Sequence, residues 1–95
     1  EGREALTTRL MLALRTRDGA AESDLVKDFG KPLASAAAAA CRDAVAELPA
    51  EWIAETEEGR FALSDPDGLL FSNDAIATVF AKLDDYLGES EEEVN

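Results

Sequence analysis

The chain has 95 residues, 46% of them hydrophobic and 32% charged, with a net charge of −12 and a pI near 4.2. That length makes one domain, able to bury roughly 60–65% of the surface its unfolded form exposes. The acidic balance disfavours nucleic acid and anionic membranes as partners, since both call for a basic face, and the lack of histidine removes Ser-His-Asp catalysis, His-containing zinc sites and His-ligated haem.

Leu6, Leu10, Ala13 and Leu14 recur at the spacing of an amphipathic helix, predicted over residues 3–17, with Met11 and Leu12 extending its apolar surface so that it packs on two sides. Asp18 and Gly19 stop it. A short helix is predicted over 22–29, with Leu25 and Phe29 one turn apart and Gly30 as its stop. Lys31 and Pro32 open a third over 32–48, proline being tolerated in a first turn. That helix places Leu33, Ala37, Ala40, Cys41, Ala44, Val45 and Leu48 on one face, and its alanine run favours helix and close approach of a neighbour.

Helix, glycine turn and helix form the layout of a helix-turn-helix unit. Residues 52–56 and 60–63 read as two strands about a Glu57, Glu58, Gly59 turn, the expected wing. Ser64 to Gly68 is dense in turn formers and is expected to be a rigid corner. Asn73 is the expected N-cap of a last helix over 74–87, with Ile76, Val79, Phe80, Leu83 and Leu87 as its buried stripe. The four glutamates among residues 89–95 cannot bury themselves, so a disordered acidic tail is expected there; removing them still leaves −8. The fold class that follows is α+β, mainly helical: four helices with one small β-hairpin, winged-helix-like, over residues 3–88.

Few side chains suggest chemistry. The single cysteine, Cys41, cannot form an internal disulfide, and its place on an alanine-rich face makes a buried structural thiol the expected role. Asp65 and Asp67 flank Pro66 in a turn, where Asx-type bonding to the backbone explains both better than metal binding or acid-base work. No run approaches the roughly 20 apolar residues of a membrane-spanning helix. No signal-peptide pattern opens the chain, and because it begins at Glu1 and not Met it is expected to be a fragment of a longer protein.

Two strings carry a resemblance. LMLALRTRDG at residues 10–19 and FALSDPDGLLFSN at residues 61–73 make the chain similar to the C-terminal domain of the oxygen-independent coproporphyrinogen III oxidase family. These are radical-SAM proteins that also include haem chaperones. The first string matches the family's apolar helix ending in Leu-Arg; the second matches its strand, turn and helix, in a form most like the plastid-type eukaryotic members. Neither is a catalytic signature.

The resemblance implies a non-catalytic accessory domain in a protein of porphyrin biosynthesis or haem handling, contacting substrate or the catalytic barrel. S-adenosylmethionine and a [4Fe–4S] cluster would belong to an N-terminal radical-SAM domain of the same chain. The cluster motif C-x-x-x-C-x-x-C is absent from these 95 residues, so no cofactor, metal or catalytic residue is expected in them. It also places Arg15 on the family's Leu-Arg motif. A structural role, tying the end of the first helix to the Asp65 and Asp67 corner, is favoured over a grip on a tetrapyrrole propionate.

Arg17, Trp52, Asp65 and Asp67 complete the set of residues expected at a substrate or interdomain contact. Trp52 is expected in the core, an exposed Trp there marking a docking surface instead. The residues that separate a decarboxylating oxidase from a haem chaperone lie outside this stretch. Location in a plastid or mitochondrion follows from the resemblance, or the cytoplasm for a bacterial member. The alternative reading is a free-standing protein-interaction module of winged-helix type.

Overall fold

The computed structural model describes residues 2–16, 18–57, 59–64 and 70–94. The fold is α+β and mainly helical, and among the described residues the elements run α1 (Gly2–Leu14), β1 (Ala20–Ala21), α2 (Glu22–Phe29), α3 (Lys31–Glu47), β2 (Ile53–Glu55), β3 (Arg60–Leu63) and α4 (Ser72–Val94). The strands form one antiparallel sheet in the order β1, β3, β2. Phe61 of β3 stands opposite Ala20 on one side and Glu55 on the other, which makes β3 the central strand.

The expected hairpin is therefore present, with a further strand added to its free edge. Ala20 and Ala21 are too short and too small to show alternation, and their pairing with Phe61 and Arg60 is decided by where α1 delivers the chain. Gly19 makes that delivery. It has φ +73, and a Cβ there would stand 2.4 Å from the Phe61 carbonyl oxygen, so only a residue without one can lie against β3. At the α2 to α3 junction Gly30, with φ +87 and ψ 164, takes a backbone conformation essentially reserved for glycine. Its N–H donates to the Val26 carbonyl while its own carbonyl accepts from Ala34, so one residue closes α2 and opens α3.

The core lies between the helices and one face of the sheet. Leu6, Leu10 and Leu14 of α1, Leu25 of α2, the alanines and Cys41 of α3, Ile53, Phe61 and Leu63 of the sheet, and Ile76, Val79 and Leu83 of α4 form one cluster. The side chains α3 buries are mainly Ala34, Ala37, Ala38, Ala40, Cys41 and Ala44. Leu33, Val45 and Leu48, expected on the same face, flank it half-buried. A helix whose buried face is alanine lets its neighbour's backbone come close, and α4 supplies the branched side chains that fill the space.

Four local expectations are corrected. α1 ends at Leu14, short of Arg17, because Arg15 and Thr16 donate to the carbonyls three residues back (3.2 and 3.0 Å), and the Thr16 hydroxyl accepts the Gly19 N–H at 3.1 Å. Leu12, expected in a second packing face of α1, is 56% exposed. Asn73 is not an N-cap: α4 begins at Ser72, and Ala75 donates to the Phe71 carbonyl at 3.1 Å, so Asn73 lies inside the first turn. α4 also runs through Gly88 to Val94, past the stop predicted at Leu87 and through most of the tail predicted to be disordered. One glycine costs a helix interior only about 1 kcal/mol, which weakens it without ending it.

Candidate functional site

Of the residues singled out in the sequence, the structure describes Arg15, Cys41 and Trp52, and among the described residues no hydrogen bond, ion pair or ring contact joins them. Arg15 sits just beyond α1 with its side chain exposed, and among the described residues no carboxylate pairs with it. Arg17, Asp65 and Asp67, and with them the corner expected to meet Arg15, lie outside the described residues. Cys41 is buried in the core at 1% exposure, and burial pushes its thiol up to about 12, with Arg42 pulling slightly down and Glu55 adding to the rise. A thiol held protonated at neutral pH is neither a nucleophile nor a ready metal ligand. Among the described residues no cluster of acids and cysteine could hold a metal ion, and no helix is long and apolar enough to cross a membrane.

Much of the charge is committed to holding elements together. Arg9 of α1 pairs with Asp28 of α2, and Arg60 of β3 reaches Asp24 of α2 at 3.4 Å. Arg42 of α3 reaches Glu55 of β2 at 3.4 Å while its guanidinium lies 5.5 Å from the centre of the Phe61 ring, a cation–π contact over the central strand. On the other face of α3, Lys82 of α4 pairs with Glu47 and the Tyr86 hydroxyl donates to Asp43 at 2.7 Å. Those two hydrogen bonds are the first cause of the upward shifts of both the Lys82 ammonium and the Tyr86 phenol. These solvent-accessible pairs each contribute little stability, but they leave four surface cations already matched to carboxylates.

One feature has the character of a binding surface. Trp52, at the entry to β2, is half-buried against the core cluster. Its ring stacks on Phe71, centroids 4.9 Å apart and planes inclined by 15°. The backbone beneath is firmly held: the Trp52 N–H donates to Pro49 at 2.9 Å and its carbonyl accepts from Ser64 at 2.8 Å. Phe71 is 40% exposed and the adjacent Leu70 74% exposed. Together they form an apolar ledge where the hairpin meets the start of α4.

Trp52 is thus half-buried against the core, with the exposed Phe71 ring laid on its face. Leu70 and Phe71 were not legible as surface residues. The signal that could have found them is phase: at 3.6 residues per turn neither falls on the stripe defined by Ile76, Val79 and Leu83. Compared with known proteins, the chain matches no protein-family model, no curated protein and no solved structure.

Proposed function

We propose that this chain is a non-catalytic accessory domain that docks through its Trp52 and Phe71 ledge, in a protein resembling oxygen-independent coproporphyrinogen III oxidase or its haem-chaperone relatives. The observation that carries the docking reading is the exposed Leu70 and Phe71 beside a half-buried Trp52, whose backbone is hydrogen-bonded to Pro49 and Ser64. Tryptophan and its stacked neighbours are the side chains that most often concentrate binding energy at an interface. The LMLALRTRDG and FALSDPDGLLFSN strings support the parentage, and the element order α1, β1, α2, α3, β2, β3 supports a winged-helix-like reading.

In this reading S-adenosylmethionine and the [4Fe–4S] cluster belong to an N-terminal radical-SAM domain, and Cys41 takes no part in the chemistry. Arg15, with an exposed guanidinium, is the group suited to a tetrapyrrole propionate. Nucleic acid does not fit. The third helix offers only Lys31 and Arg42 as cations, and Arg42 is already engaged by Glu55 and Phe61. An organelle location travels with the parentage.

The upstream coding sequence tests this directly. The expected result is a C-x-x-x-C-x-x-C motif ahead of Glu1, and a purified longer protein that holds four irons per chain after anaerobic reconstitution while these 95 residues hold none. An upstream sequence without the cysteine triad overturns the parentage and leaves the second reading, a free-standing interaction module, which needs only the ledge.

A further inference from the structure

We infer that the ledge formed by Trp52, Leu70 and Phe71 takes a basic, apolar polypeptide segment, one that presents leucine-type side chains flanked by arginine or lysine. The inference rests on the docking reading above and names the chemistry of the partner. Charge decides it. From Asp43 to Ala81 the chain carries nine acidic residues and one basic one, Arg60. Arg60 is directed to Asp24 on α2, and three of the nine acids, Asp43, Glu47 and Glu55, are engaged within the fold.

The acids next to the ledge are differently placed. Glu51 immediately precedes Trp52, and Asp74 follows Phe71 by three residues, in the first turn of α4; both are exposed. Among the described residues no cation pairs with either. An apolar platform with uncompensated carboxylates at its border selects its occupant by exclusion. A second copy of the chain would bring two acidic borders and two charges of −12 together. A tetrapyrrole would set its propionates against Glu51 and Asp74, so the ledge faces protein, not substrate. A segment with arginine or lysine around an apolar anchor is attracted on both counts.

Trp52 is the only tryptophan, so its fluorescence reports on the ledge. The probe is an amphipathic helical peptide of about 18 residues, built of leucine and arginine, beside a matched peptide of leucine and glutamate. The expected result is a blue shift of Trp52 emission with the first peptide and none with the second, an affinity that falls with added salt, and a loss of about tenfold in Leu70→Ser or Phe71→Ser. Leu70 is so exposed that its replacement leaves folding intact, which a far-ultraviolet circular dichroism spectrum checks. Leu12→Ser removes an exposed leucine elsewhere and is expected to leave affinity unchanged, whereas Glu51→Gln with Asp74→Asn weakens it severalfold.

Equal binding of the glutamate peptide overturns the charge argument. Equal loss in Leu12→Ser and Leu70→Ser, or loss in neither, overturns the location, as does an unchanged spectrum at about 100 μM peptide. Failure here leaves the parentage untouched, because the upstream cysteine triad is an independent result.

Discussion

Phe61 and Phe71 stand ten residues apart in one string, and the fold uses them in opposite ways. Phe61 lies in the central strand with 1% of its surface exposed, core below it and the Arg42 guanidinium above. Phe71 stands at the entry to α4 with its ring on Trp52 and 40% of its surface exposed. The same residue type therefore serves cohesion at one end and presentation at the other. What differs is how many elements surround each ring: β1 and β2 pair on both sides of Phe61, whereas Phe71 stacks on Trp52 at the edge of the cluster.

The largest effect that tests this contrast is truncation of each ring. Phe61→Ala removes a fully buried aromatic from the middle of the sheet and is expected to cost about 3–5 kcal/mol, a large part of the stability of a domain this size. Phe71→Ala gives up a stacked contact and partial burial, and is expected to cost about 0.5–1.5 kcal/mol. Urea unfolding measures both. Equal losses would mean that the ledge belongs to the core.

Next in size is the approach of β1 to Phe61. Gly19→Ala must both hold φ +73 and move the Phe61 carbonyl, so a loss of about 3 kcal/mol is expected, the upper end of local strain costs. Gly30→Ala carries the strained backbone alone, since a Cβ there meets nothing closer than the Pro32 ring at 3.9 Å, and about 1–3 kcal/mol is expected. Thermal unfolding of the two variants side by side separates steric contact from backbone strain. If Gly30→Ala is the worse of the two, the close packing of β1 on β3 is not what holds this edge.

The smallest effect is at Arg15. An exposed guanidinium contributes no more than a surface ion pair, about 0–1 kcal/mol whatever carboxylate it finds. Arg15→Ala is expected to leave the melting temperature within a degree or two. That sets Arg15 apart from Phe61, as a residue whose loss folding does not register. A clear drop in stability would support the structural role expected from the sequence, a tie between the end of the first helix and the Asp65 and Asp67 corner.

The elements read from the sequence are those whose cause is local. α2 was legible because Leu25 and Phe29 lie one turn apart ahead of the Gly30 stop, and its observed bounds, Glu22–Phe29, are those predicted. The β2 and β3 hairpin was legible for a similar reason, as two β-prone runs around Gly59. The burial of Leu6, Leu10 and Leu14, and of Cys41 on an alanine face, followed from helical periodicity alone. The ion pairing of Arg60 with α2 and the seat of Arg42 over Phe61 had no such local cause, because their partners are 36 and 19 residues away in the chain.

The sequence by itself determined the class, the helical stripes and the acidic charge that narrows the choice of partner, because composition and period are properties of neighbouring residues. Only the tertiary structure decided that Ala20 and Ala21 form a strand, that Leu12 is left uncovered and that Phe71 is laid on Trp52 at the surface. Each of these depends on a contact between segments far apart in the chain. Periodicity tells which residues share a face, and packing alone tells which faces are left over to meet something else.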